Sequence, residues 1–134
     1  MKHRGCRYLI PLVLALLSAG CATNSAGIAV RSDSSDLRVD SSSVAKAVNI
    51  SQVRQRSVAG VLQGSALISS TVSSDRYWQY KFTFFDLQGL PVELDSSHWQ
   101  PLNLHGGEQR AVQAAAANAS AASFELSLRP VTKN

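Results

Sequence analysis

Residues 77–86 read Tyr77-Trp78-Gln79-Tyr80-Lys81-Phe82-Thr83-Phe84-Phe85-Asp86. Successive side chains of an extended chain point to opposite faces. Trp78, Tyr80, Phe82 and Phe84 therefore share one face, and Gln79, Lys81 and Thr83 share the other. Aromatic enrichment with strict alternation is the pattern of a half-buried strand. Each large apolar side chain contributes roughly 2 kcal/mol or more on burial, so this face is expected to dominate the core. Phe85 interrupts the polar face and is a candidate partner surface.

Downstream, Asp86-Leu87-Gln88-Gly89 has the composition of a tight turn, and Leu87 at its tip joins Phe85 as a candidate contact residue. Leu90, Val92 and Leu94 alternate with Pro91, Glu93 and Asp95. Pro91 predicts an edge strand, on which Glu93 and Asp95 would share one solvated face. Trp99 to Leu104 is a further short strand, and His105 to Glu108 a turn. The alanines of Gln109 to Ala117 favour a helix by propensity. The neighbouring segments are strand-like and similar in length, which favours a strand around Arg110 to Ala114. Phe124, Leu126 and Leu128 alternate with Glu125, Ser127 and Arg129 as a last strand ended by Pro130.

Upstream, Leu62, Ala66, Ile68 and Val72 recur at even spacing in Val61 to Val72. In Val44 to Val58, Val48 and Ile50 share a face and Val53 is out of phase, which a bulge near Ser51 and Gln52 would reconcile. Leu37 to Asp40 is a short strand, followed by a soft Ser41-Ser42-Ser43 patch. About seven short strands separated by turns predict an all-β, immunoglobulin-like antiparallel sandwich. It would span residues 36–134 and lack the disulfide of antibody domains. Ala22 to about Asp36 is mostly small and polar and is expected to be a flexible tether over residues 21–35.

The chain begins with Lys2, Arg4 and Arg7, an apolar run from Tyr8 to Leu17, and then Ser18-Ala19-Gly20-Cys21. This is the order of a secretory signal, and the run is about half the ~20 residues that span a bilayer. The small residues before Cys21 resemble the bacterial lipobox, which implies cleavage between Gly20 and Cys21 and acylation of the Cys21 thiol. Residues 1–20 would be the signal. Each buried methylene of such an anchor contributes about 0.8 kcal/mol, and more than one acyl chain gives stable attachment.

Charge and cysteines narrow the function classes. The 13 Lys and Arg outnumber the 9 Asp and Glu, but Lys2, Arg4 and Arg7 leave with the signal, so the remaining excess is 10 − 9 = 1. The remaining cations are dispersed, with no stripe for a phosphate backbone, and no nucleic-acid partner is expected. Cys6 is lost with the signal and Cys21 acylated, so the domain would fold without a disulfide.

His98 and His105 lie seven residues apart with no cysteine nearby, a poor spacing for a metal. No nucleophile elbow or phosphate loop occurs. No catalytic residue, metal or cofactor is therefore expected. His98 is grouped with Phe85 and Leu87 as a candidate partner surface. The alternative is an enzyme, or a subunit of one, acting on envelope polymers with Asp86, Glu93 and His98 as its candidate catalytic set.

The order of motifs is lipobox, polar tether, Leu37-x-Val39-Asp40, Tyr80 to Gly89, Trp99-Gln100-Pro101-Leu102, and Phe124-x-Leu126-x-Leu128-Arg129. It resembles the YcfL-like family of small uncharacterised lipoproteins of Gram-negative bacteria. Phe85 stands where that family more often has Trp, and Ala116-Ala117-Asn118 stands where it often has Ala-Pro. The resemblance implies an all-β sandwich with no established enzymatic role, and members encoded near an activator of peptidoglycan synthesis. No functional residue is carried over by it. Ala22, in place of the Asp that retains such proteins in the inner membrane, implies sorting to the periplasmic face of the outer membrane. The expected partners are the membrane, through the N-terminal lipid, and an envelope protein.

Overall fold

The computed structural model describes residues 26–34 and 36–131. Gly20, Cys21 and the whole expected signal lie outside the described residues. The domain is an antiparallel β-sandwich of two sheets.

The larger sheet is organised around the aromatic strand. It contains β1 (Ile28–Arg31), β2 (Leu37–Val39), β5 (Arg76–Phe85), β6 (Pro91–Val92), β7 (Gln100–Leu104) and β9 (Ser123–Pro130). Its order is β2-β1-β9-β5-β6, and β7 shares the edge of β5 with β6. The smaller sheet is β3 (Val48–Val58), β4 (Val61–Ser70) and β8 (Gln109–Ala115), in the order β3-β4-β8. One helix, α1 (Ser42–Ala47), precedes β3.

The alternation in β5 is realised. Trp78, Phe82 and Phe84 are buried and Tyr80 packs against them, whereas Gln79, Lys81 and Thr83 face outward. Phe82 pairs with Leu126 and Phe84 with Phe124 on β9. Facing them from the smaller sheet are Leu62, Ala66, Ile68 and Val112. Burial of these side chains at roughly 25 cal/mol per Å² supplies the main driving force, with no disulfide among the described residues. The bulge also falls where the phase shift demands it, with the register of β3 slipping between Ser51 and Arg54 and Gln52 left-handed at φ 51°. Gln109–Ala115 is a strand, so the non-local pairing with β4 overrides alanine's helix propensity.

Three expectations are corrected. The sandwich has nine strands among the described residues, and one of them, β1, comes from the expected tether. Ile28, Ala29 and Val30 are buried in β1 between β2 and β9. The ordered domain therefore begins by Gly27 instead of Asp36. A Cβ on Gly27 would stand 1.8 Å from the carbonyl oxygen of Leu128, so only glycine lets the chain pass so close to β9.

The serine patch is no loop either. Ser41 caps α1 by accepting a hydrogen bond from the N–H of Val44, and Ser42 and Ser43 form its first turn. The alternation through Leu94 also fails. Only Pro91 and Val92 pair with β5, because Glu93 turns left-handed at φ 61° and leads into a 3-10 turn over Leu94–Ser96. Glu93 and Asp95 therefore share no strand face.

Candidate partner-binding surface

Phe85 ends β5 on the outer face, half-buried, with the guanidinium carbon of Arg31 4.2 Å from its ring centre. Arg31 reaches that position from β1 and is held by both carboxylate oxygens of Asp33, at 3.0 and 3.1 Å. The hydrogen bond to Arg31 lowers the Asp33 carboxyl below its ordinary range, and the same contact raises the Arg31 guanidinium. Phe85 is thus a covered ring and not a bare platform.

The turn after Phe85 is closed by its own hydrogen bonds. Asp86 Oδ1 accepts hydrogen bonds from the N–H groups of Gln88 and Leu90, both at 2.9 Å. Gly89 takes φ 81°, and its N–H donates to the carbonyl of Asp86. Here the Asx side chain mimics backbone and closes the turn. The result is an apolar tip, with Leu87 87% exposed and Leu90 62%, while Leu94, 59% exposed, lies beyond β6 in the 3-10 turn. Scattered exposed leucines are ordinary, but Leu87 and Leu90 on one short turn form a local apolar patch of the kind that marks a contact.

His98 belongs elsewhere. It is exposed in the loop entering β7 and opens onto a cleft whose walls include neither Phe85 nor Leu87. The candidate trio is therefore split. The cleft, about 210 Å³, lies between the aromatic face of β5 and strand β8, with Glu93 and Ser97 also on its rim. Glu93 Oε1 accepts the N–H of Ala117 at 2.5 Å, and Glu93 Oε2 is buried without a partner. Ser97 Oγ donates to the carbonyl of Phe82 at 2.6 Å, filling the gap on the edge of β5 between β6 and β7. Of the alternative catalytic set, Glu93 and His98 share the cleft and Asp86 is committed to its turn.

Two further features escaped sequence reasoning. Trp99 lies on the outer face between two cations, 3.9 Å from the Arg129 guanidinium carbon and 4.8 Å from Lys81 Nζ. Arg129 is oriented for this by Gln79, whose side-chain oxygen accepts its Nε–H at 2.9 Å. The register Gln79↔Arg129 would have suggested that pairing, but the reach of Trp99 would not. The second feature is a 750 Å³ groove on the outside of the smaller sheet, where Arg54 and Arg56 flank Gln63, Ser65 and Gln113.

His105 follows β7, with its Nδ1 3.2 Å from Asp75 Oδ1. Glu108 accepts the backbone N–H of His105 and pairs with Arg110, and these contacts, the backbone one foremost, lower its carboxyl below the ordinary value. Among the described residues no three His, Cys, Asp or Glu side chains converge on a point where a metal could sit.

Taken together, fold and site define a small antiparallel β-sandwich that presents an apolar turn and a cleft beside an open sheet edge. The chain belongs to the DUF1425 family, described as a protein of unknown function, which matches residues 35–130. It is similar to the crystal structure of a DUF1425 family member from Shewanella sp. pv-4. Identity there is 35%, coverage is 82% of this chain and 94% of that one, and the TM-score is 0.61. It also resembles Campylobacter jejuni Cj0090 at 21% identity and TM-score 0.53, covering 60% of this chain and 83% of that one, a likeness of fold. No curated protein matches.

Proposed function

We propose that the protein is a lipoprotein of the YcfL-like kind, acylated at Cys21 and held on the periplasmic face of the outer membrane. There it acts as a non-catalytic binding or adaptor module for an envelope protein. The observation that carries this reading is the position of the leucine tip. The chain comes into the sandwich at Gly27, against Leu128 and Arg129. That is the level of Gln79 and Tyr80 on β5. The tip follows Phe85, roughly 20 Å further along the strand at 3.3 Å per residue. Cys21 to Gly27 reaches at most about 20 Å fully extended. An anchor at Cys21 therefore holds the Gly27 end within about 20 Å of the bilayer, with Leu87 and Leu90 at the far end of β5 from it.

The competing reading, an enzyme acting on envelope polymers, draws support from Glu93 and His98 sharing one cleft. Against it, the Glu93 carboxylate accepts from a backbone N–H, as Asp86 does. The test is a photo-crosslinking residue at Leu87 or Leu90 in cells. A discrete protein adduct is expected, and the adduct from Leu87 is lost when Leu90 is changed to Asp. Adducts that arise equally from Ser74, near the other end of β5, would remove the tip from the proposal.

A further inference from the structure

Among the described residues, strand β8 pairs with β4 and with no other strand. The N–H of Ala116 donates to the carbonyl of Leu62 at 2.8 Å. Backbone groups of alternate residues point to opposite sides of a strand, so Arg110, Val112 and Ala114 also face β4. The N–H and C=O groups of Ala111, Gln113 and Ala115 then point to the open edge. Natural edges are protected by charge, proline or a bulge. From Ala111 to Ala117 there is no charged residue and no proline, and the register with β4 is unbroken.

The next donor on that edge, the N–H of Ala117, is taken by Glu93 Oε1. A side-chain oxygen stands there in the place of a neighbouring strand's carbonyl. Glu93 holds the position from a left-handed backbone at φ 61°, a conformation unfavourable for a non-glycine residue. Its Oε2 is left buried without a donor. Immediately inside the edge lies the cleft floored by Tyr80, Phe82 and Phe84.

We infer that the open edge of β8 takes up an extended peptide segment of a partner protein by strand addition. One face of the added strand places an apolar or aromatic side chain in the Tyr80–Phe82–Phe84 cleft, and the strand ends where Glu93 Oε1 already holds the N–H of Ala117. Backbone pairing supplies the attachment and the cleft supplies selectivity. This rests on the domain being a binding module. The β8 of a second copy does not fit as occupant, because the β8 side chains that would face the cleft, Val112 and Ala114, are already packed into their own core.

The probe is the capped nonapeptide Thr-Val-Thr-Phe-Thr-Val-Thr-Lys-Thr, added to the full chain in detergent and followed by amide hydrogen exchange. Exchange at Ala111, Gln113 and Ala115 is expected to slow at least tenfold, with Val112 and Ala114 unchanged. Gln113→Pro removes one edge donor and leaves the β4 side intact, and should weaken binding at least tenfold. Should that variant not fold, the same peptide N-methylated at alternate residues must lose binding to the wild-type chain.

Absence of protection at the three amides overturns the proposal. So does protection that appears without peptide and grows with protein concentration, which would mean pairing with a second copy. Crosslinks from Leu87 or Leu90 would persist if the edge proposal alone failed, and the adaptor reading would then stand without it.

Discussion

A Cβ on Gly64 would stand 2.5 Å from Cε1 of Phe124, a ring that is wholly buried. Gly64 is on β4 and Phe124 on β9, so the missing side chain lets the two sheets close over that ring. Phe124 in turn lies 5.2 Å from Phe82 and 6.4 Å from Phe84, centre to centre. Gly64→Ala is expected to destabilise the domain by about 1–3 kcal/mol, the usual cost of overpacking. Urea denaturation should show the loss partly relieved by Phe124→Leu in the same chain, as residues in contact couple. Strictly additive effects would mean that the ring has another place to go.

Phe82→Ala removes a ring at the centre of the aromatic face. A loss of about 3–5 kcal/mol is expected from the cavity and the lost burial. An unchanged melting temperature would put Phe82 outside the core.

The Arg31–Asp33 pair predicts a small acid sensitivity. The Asp33 pKa is depressed in the folded state. Its contribution is therefore fully present above the unfolded value of about 3.9. It is lost as pH falls through the lower folded value. The pair is solvent-exposed, so its worth is below about 1 kcal/mol. Asp33→Asn should lower the urea midpoint slightly at pH 7 and by less as the pH falls through the acid range. An equal effect at every pH would deny the charge any role.

Cys21→Ala should release the protein from the membrane fraction, because it removes the one expected acylation site. Mass spectrometry of the wild-type chain should find an acylated Cys21 at its N-terminus. Retention of the variant in the membrane would assign attachment to something else.

Local pattern made much of this domain readable. Phe82 and Phe84 declare their face because a strand's alternation is a property of the chain itself. The phase slip between Ile50 and Val53 located the bulge for the same reason. The N-cap at Ser41 was legible in principle, but a serine run resembles a loop when only polarity is weighed. The partner surface was read less well. Phe85 was recognisable as an exception to the polar face, yet its cover, Arg31, comes from a strand that composition assigned to a tether.

What the sequence determined alone is whatever depends on neighbours along the chain: the strand periods, the Asp86 turn and the Leu87 tip. Only the tertiary structure decided that Ile28 to Val30 are core, since three apolar residues among polar ones gain their burial from Leu126 and Leu128, about a hundred residues away. It alone divided His98 from Leu87 and brought Glu93 to Ala117 at the open edge of β8. Those contacts are made between strands, and a strand's own side-chain period carries no information about which partner it will meet.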